Sequence, residues 1–322
     1  MYPAGMGAHR PMTVFAVLSA VAAAGCLVAL AVDDRVLLGA PIWTKPFKFA
    51  VSMTAYCLAW SWMYSMVERG RRVVAWAGSV VVASMAVEYV IIVGQVLRGR
   101  ASHFNVSTPL DAGLWAAMSV TIGVLWLAIL AMTVVVLRAP LADAASRWAV
   151  RSGAVISLVG LGLGGLMVGA ARGDGGAGAH TVGLPDGGPG MALTGWSTVG
   201  GDLRIPHFVG MHALQVLPLL AALLGVLGHR LPRLGRPEVR ARLVLVAASG
   251  YAGLVALVTW QAERGQSLVH PDAVTLGALA VLLAGLALGS VWALVPAEPG
   301  PVGAARPAVD GAEGDPAGVA GR

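Results

Sequence analysis

The chain has 322 residues, of which 57% are hydrophobic and 12% charged, and its formal net charge is +6. Apolar runs of about twenty residues recur along it, the length that spans a ~30 Å hydrocarbon layer. These runs lack the charged stripes of a soluble bundle, so they predict an all-α, polytopic membrane protein in contact with the lipid bilayer. The positive charge does not indicate a nucleic-acid partner, because the arginines lie in short loops between the apolar runs.

The apolar runs predict eight transmembrane helices. They cover about 11–32, 46–67, 73–97, 110–137, 148–171, 207–228, 239–262 and 272–296. Residues 1–296 would form the membrane domain, with one four-helix half in about 11–137 and a second in about 148–296. Residues 297–322 are rich in Pro, Gly and Ala, which predicts a disordered cytoplasmic tail.

The basic residues predict the orientation of the helices. If the N-terminus is inside, 14 basic residues fall on the cytoplasmic side and 8 on the outer side. Because positive charge is retained inside, both termini are expected in the cytoplasm. The unusual polar residues then gather on the outer side, which predicts an outward-facing polar site.

A pattern on the outer side recurs. Gln95-Val-Leu-Arg98-Gly ends the third predicted helix, and Gln261-Ala-Glu-Arg264-Gly ends the seventh, 166 residues later. A histidine follows each, His103 and His270. The pattern predicts a duplicated four-helix unit whose halves are related about an axis along the membrane normal. We expect both Gln/Arg pairs to flank the same cavity. The arginines would either clamp an anion or cap their own helices.

The stretch 201–215 leads from a glycine-rich loop into the sixth predicted helix with unusual polar content. Polar groups are costly in lipid, so this stretch predicts the wall of a site. Its candidate residues are Arg204, His207, His212 and Gln215. The two histidines are ~140° apart around a helix, so a single metal ion does not easily take both. Hydrogen bonding at an interface is the alternative role for them.

A haem or transition metal at this site would take a second ligand from elsewhere, with His103 and His270 as the candidates. His212 is predicted to be the better ligand, because it lies deeper than His207 and shares a face with Gln215. His207, at the mouth, would contact a propionate or a substrate. The loop 173–206 is predicted to be either a binding lid or disordered.

Three further charged residues lie in or directly beside predicted helices. Glu88 lies ~13 Å inside the third helix, which makes it a candidate proton carrier. A hydrogen bond between helices is its alternative role. Lys45 and Lys48 are the only lysines of the chain, and either bind an anionic group or extend to the interface. Glycines from Gly160 to Gly165 predict close helix packing rather than nucleotide binding.

The stretches Pro185-Asp-Gly-Gly-Pro-Gly190, Gly201-Asp-Leu-Arg204, Pro206-His-Phe208 and Gly210-Met-His-Ala-Leu-Gln215 resemble a family of bacterial membrane proteins. Arg98-Gly-Arg-Ala-Ser-His-Phe-Asn105 adds to the likeness, which extends to about residue 296. It implies a location in the bacterial cell membrane and no established activity. The architecture also resembles haem A synthase, which has two four-helix halves, outward-facing haem sites and an essential acid in the first half.

That second likeness has a clear departure. The haem-ligating histidines of haem A synthase lie on the even-numbered helices of each half, and here the second and fourth predicted helices carry none. At most one such site is expected. Three functions therefore stay open: a haem- or metal-dependent redox or haem-handling protein, a transporter of a small or anionic solute, and a non-catalytic assembly factor.

Overall fold

The computed structural model describes residues 7–141, 143–170 and 178–295. This part of the chain is mostly helical, and the predicted all-α class is confirmed. Its nine helices are α1 Arg10–Val32, α2 Thr44–Ser65, α3 Arg71–Leu97, α4 Pro109–Leu137, α5 Ala144–Gly169, α6 Arg204–Met211, α7 Ala213–Gly228, α8 Pro237–Glu263 and α9 Ala273–Leu294. Strands β1 Val36–Leu37 and β2 Ala40–Pro41 form an antiparallel hairpin. The predicted disordered tail lies outside the described residues.

Six helices are long and apolar enough to cross a membrane: α1, α3, α4, α5, α8 and α9. The bent pair α6–α7 is a seventh if it is counted as one span. The outward faces of these helices are apolar, as at Val281 and Leu288 of α9, which are 74% and 72% exposed. Helices with this surface are typical of a lipid environment, so the chain is a multi-pass membrane protein.

Each of the eight predicted apolar segments overlaps one helix or the α6–α7 pair. The total of eight spans stays a prediction, because α2 is less apolar than the six helices above. Helix α2 lies against α1 and α3 and carries some of the most buried large side chains, including Tyr56, Trp60 and Met63. It is therefore the central helix of the first half.

The loops between helices lie at two ends of the bundle. The cavity end consists of the hairpin 36–41 and the segments 98–108, 178–203 and 264–272. The arginine-rich end consists of the segments 66–70, 138–141 and 229–236 and residue 143, with the helix ends beside them. Most of the polar side chains discussed below lie at the cavity end.

The predicted sixth span is bent by 42° between α6 and α7. Pro218, inside α7, has no N–H to donate to the carbonyl of Leu214, and its ring crowds that carbonyl. The helical hydrogen-bond ladder is therefore weakened near Leu214. His212 lies at the break, where it ends α6 and begins α7. The bend turns the His212 side chain toward α2.

The predicted close packing of the glycines in α5 is confirmed at two positions. A Cβ on Gly160 would lie 2.3 Å from the backbone of Gly210 in α6, so only glycine allows the helices to cross there. A Cβ on Gly164 would lie 3.1 Å from the ring of His207. These small residues let α6 approach α5 and fix the position of His207.

The main hydrophobic core lies below the cavity end. It joins α1 through α5, the end of α6 and the start of α7, and its largest members include Tyr56, Trp60, Met132 and Leu214. Tyr56, Met85, Leu125 and Met211 belong both to this core and to the floor of the cavity described next. The core therefore closes the cavity on the side of the arginine-rich end.

Candidate functional site

The cavity end encloses a cavity of about 1370 Å³. Helices α2 to α6 form its sides, and the hairpin and the cap segment (residues 178–203) lie over it. Aromatic and aliphatic side chains make up much of the wall, including Phe49, Trp115, Trp126, Leu161 and Phe208. Such a wall is suited to an apolar ligand of considerable size.

The cap segment is held in place by specific hydrogen bonds. Asp202, fully buried, accepts from the backbone N–H of Ser197 and from the guanidinium of Arg204. Arg204 also donates to the carbonyl of Gly195 at 2.6 Å, and Lys48 Nζ donates to the carbonyl of Thr194 at 2.6 Å. The described part of the predicted loop, residues 178–203, is therefore ordered, and its role as a binding lid stays a prediction.

A series of polar contacts in the cavity wall leads from Lys45 through His103 to Glu88. Lys45 Nζ donates to His103 Nδ1 at 3.1 Å, and His103 Nε2 lies 3.7 Å from a carboxylate oxygen of Glu88. Because Nδ1 accepts from the ammonium group, the ring proton is on Nε2 and faces Glu88. Burial, and then the charge of Lys45, hold the pKa of His103 well below its usual range. A neutral imidazole here links a cation to a buried carboxylate.

His180 in the cap segment forms a second polar pair. Its Nδ1 lies 2.6 Å from Asp186, and its backbone N–H donates to the same carboxylate. Burial lowers the pKa of His180, although Asp186 opposes the shift. Burial would raise the pKa of Asp186, but the hydrogen bonds from His180 lower it to about 2. The His103 and His180 rings are 6.3 Å apart, so the two polar groups are neighbours.

His180 was not among the candidate ligands of the sequence analysis. The signal for it was a histidine six residues before an aspartate in the glycine-rich loop, which has no helical or strand periodicity. A histidine that donates Nδ1–H to a carboxylate has its other nitrogen available as an acceptor, as in many metal sites. His180 lines the cavity, so the site is richer in histidine than predicted.

His207 and His212 differ in what their ring nitrogens contact. His207 Nδ1 donates to the carbonyl of Gly160 at 2.9 Å, and its Nε2 makes no hydrogen bond to a described residue. His212 Nδ1 lies 3.3 Å from Gln215 Oε1, and its Nε2 lies 3.2 Å from Ser52 Oγ. Both histidines line the cavity. His207 is therefore the one with a nitrogen available to a ligand, which is the reverse of the predicted preference.

The two Gln/Arg pairs do not line the cavity. Gln95 and Arg98 donate to Asp111 at 2.9 and 2.8 Å, at the start of α4. Gln261 donates to the carbonyl of Ser267 at 2.8 Å, and Arg264 pairs with Asp272, the N-cap residue of α9. The expectation that they flank one cavity is wrong, because an acid at the start of the next helix binds each arginine first.

The remaining predicted candidates lie at the edge of the site. His270 is exposed, and its Nδ1 lies 3.0 Å from the carbonyl of Thr198 in the cap segment. Gln215 contacts His212 but is not part of the cavity wall. Arg204 lines the cavity and is paired with Asp202. The structure thus brings these predicted candidates together around one cavity: Lys45, Lys48, Glu88, His103, Arg204, His207 and His212.

Within residues 7–141, 143–170 and 178–295, no group of three or more His, Cys, Asp or Glu side chains is placed to hold a metal ion. No protein-family model, curated protein or solved structure matches the chain. The function must therefore be argued from the geometry of the cavity alone.

Proposed function

We propose that this membrane protein binds an amphipathic molecule with a negatively charged group in the cavity. The observation that carries the proposal is the environment of the two lysines. Lys45 and Lys48 line a largely apolar cavity, and among the described residues neither forms an ion pair with a carboxylate. Lysine at such a position is costly without a compensating anion.

The apolar walls support the second half of the proposal. Phe49 and Phe208 pack edge to face with ring centroids 6.4 Å apart, and Trp115 packs beside His103. These rings offer a large apolar surface a short way below the lysines. A ligand with a charged head and an apolar body would satisfy both parts of the wall.

Haem is the member of this class that we propose to test first. A bare metal ion needs three or four protein ligands, whereas haem iron needs only one or two. His207 would hold the iron through Nε2, because its Nδ1 is fixed by the carbonyl of Gly160. Lys45 and Lys48 would contact the propionates. A bound haem would supply electron transfer. Glu88 and His103 would hold or accept the proton that accompanies it.

The test is an absorption spectrum of the purified protein, with His207→Ala compared with His270→Ala. We expect a Soret band in the wild type and in His270→Ala, because His270 lies outside the cavity, and its loss in His207→Ala. A wild type without a Soret band would contradict haem as the ligand. The same protein would then be extracted for other anionic amphiphiles.

The other two functions have less support. A transporter needs a polar path to both ends, and below the cavity the core of Tyr56, Trp60 and Met63 leaves none among the described residues. A purely structural assembly factor would not need two lysines without anionic partners in an apolar cavity. Both alternatives predict that His207→Ala leaves the bound material unchanged.

We also propose the finer membrane arrangement: eight spans in a bacterial cell membrane, both termini in the cytoplasm and the cavity end outside. The excess of arginine at the opposite end supports this orientation. Reporter fusions after Arg72 and Arg236 are expected to read cytoplasmic, and a fusion within 183–190 external. A cytoplasmic signal from 183–190 would contradict the orientation.

The hydrogen bonds at two helix ends support the duplication. Gln95 and Gln261 each donate to the carbonyl six residues on, at Ala101 and Ser267. Each helix end continues through a glycine with positive φ, and its arginine binds an acid at the start of the next helix. Two ends that repeat a sequence pattern and its bonding are typical of an internal repeat.

A further inference from the structure

The floor of the cavity holds a serine that contacts a histidine. We propose that Ser52 is a catalytic nucleophile, that His212 is its general base and that Gln215 orients His212. The substrate class rests on the proposed function: an acyl ester of an anionic amphiphile, whose apolar chain would occupy the cavity. The expected reaction is hydrolysis of that ester.

Three side chains from distant parts of the sequence make the arrangement. Ser52 is on α2, and His212 lies at the break between α6 and α7, 160 residues away. Ser52 Oγ lies 3.2 Å from His212 Nε2, and Gln215 Oε1 lies 3.3 Å from His212 Nδ1. Ser52 and His212 both line the cavity. A nucleophile bonded to a base, which is bonded to a third group, is the arrangement used for acyl transfer.

In the structure the amide oxygen of Gln215 faces Nδ1 of His212, and the proposed role of His212 follows from that orientation. The amide oxygen of Gln215 can only accept, so the ring proton is on Nδ1. Nε2 then carries the lone pair and accepts from the hydroxyl of Ser52. The amide nitrogen of Gln215 is buried without a hydrogen-bond partner among the described residues. The amide therefore leaves its own donor unsatisfied while its oxygen holds His212 in the form that a general base requires.

The wall next to Ser52 suits an anionic substrate. Lys48 precedes Ser52 by four residues on α2, so the two side chains share a face of the helix about one turn apart. Both line the cavity, and Phe208 stacks on His212 with the ring planes 27° apart. A substrate with its charged group at Lys48 would therefore bring a nearby ester carbonyl close to Ser52.

The reaction needs only the ester and water. Ser52 Oγ attacks the carbonyl carbon while its proton passes to His212 Nε2, and the ester C–O bond then breaks as the leaving alcohol takes that proton. Water next attacks the acyl-serine and gives a proton to His212. The bond to Ser52 Oγ breaks, Oγ takes the proton back, and a carboxylic acid leaves. No atom is oxidised or reduced.

The test uses an alkyl fluorophosphonate, which phosphonylates activated serines, on the purified full-length protein in detergent. We expect labelling of the wild type, mapped by mass spectrometry to the peptide that contains Ser52. Labelling is expected to be lost in Ser52→Ala and slowed about 100-fold in His212→Ala. Gln215→Glu can still accept from Nδ1 and is expected to retain labelling, whereas Gln215→Leu is expected to slow it.

Ser157→Ala is the matched control. Ser157 donates to the carbonyl of Met211 at 2.8 Å, so like Ser52 it is a serine that ties two helices together, but it is buried and has no histidine partner. The Ser157→Ala variant is expected to be labelled on Ser52 at the wild-type rate. A wild type with no label on Ser52, or with an unchanged rate in His212→Ala, would overturn the proposal. Extraction of the bound ligand tests the proposed function separately, so failure of one is distinguishable from failure of the other.

Discussion

The two ends of the bundle use charged residues differently. At the arginine-rich end, arginines donate to backbone carbonyls, mostly near them in sequence, as Arg138 does to Val134 and Arg240 to Leu234, although Arg71 also reaches Gly7. At the cavity end, charged and polar side chains contact one another, both locally, as Arg204 does with Asp202, and across long sequence distances, as Lys45 does with His103. The first arrangement completes helix ends. The second builds a polar wall, and it indicates where the function lies.

The core between the two ends should carry most of the stability. Trp60 is fully buried beneath the cavity, whereas Trp76 on α3 is 77% exposed on the outer surface of the bundle. Trp60→Ala is expected to reduce the free energy of unfolding by about 3–5 kcal/mol, because it leaves a large void. Trp76→Ala should change it far less. Unfolding in a denaturing detergent measures both, and equal losses would contradict the placement of the core.

The helix crossing that positions His207 gives a second comparison. A methyl group on Gly160 would meet the backbone of α6, so Gly160→Ala should cost about 1–3 kcal/mol or more and displace His207. Gly225 lies toward the arginine-rich end of α7 with open space around its Cα. Gly225→Ala should stabilise the protein slightly by favouring the helix. The same unfolding measurement checks both, and a harmless Gly160→Ala would contradict the close crossing.

The cavity end should respond to pH through its neutral histidines. The pKa values of His103 and His180 are lowered from 6.5 in the folded protein. As the pH falls below 6.5, the unfolded chain binds protons before the folded protein does. The contribution of the two neutral histidines to the free energy of unfolding is therefore fully present above that pH and is lost below it. The free energy of unfolding should fall by up to about 1.4 kcal/mol per pH unit for each histidine.

Unfolding measured from about pH 7.5 to about pH 5 checks this slope. His103→Gln and His180→Gln should each make it shallower, while His270→Gln, which is exposed, should not. Asp186 adds to the loss only at lower pH, between its unfolded value of 3.8 and about 2, because its pKa is lowered. A wild type that is equally stable across the range would contradict neutral, buried histidines at this end.

Much of the architecture could be predicted from the sequence. Long apolar runs predicted the helices, and the glycines of α5 predicted the close contact at Gly160. Glu88, His103 and His207 could be expected to meet, because polar side chains in apolar helices turn away from lipid. The bend at His212 had a signal in Pro218, which the sequence analysis did not use.

The misses have local causes. Gln95 and Arg98 were expected at the cavity, but Asp111, sixteen residues after Gln95, binds both first. The pairing of His180 with Asp186 lies in a glycine-rich loop, where no periodicity indicates which side chains meet. The ranking of His212 above His207 used depth alone. It could not include Ser52, which occupies Nε2 of His212 from another helix.

The central claim is that an anionic amphiphile binds against Lys45 and Lys48. The direct measurement is to extract the purified protein and quantify the bound anionic amphiphiles by mass spectrometry and absorption. Wild type is compared with the double variant Lys45→Met, Lys48→Met and with the control Arg138→Met. We predict about one equivalent in the wild type and in Arg138→Met, and a loss of at least about tenfold in the double variant, since each charged contact contributes ~1.5–3 kcal/mol. A wild type without such a molecule, or a double variant that retains it, would contradict the claim.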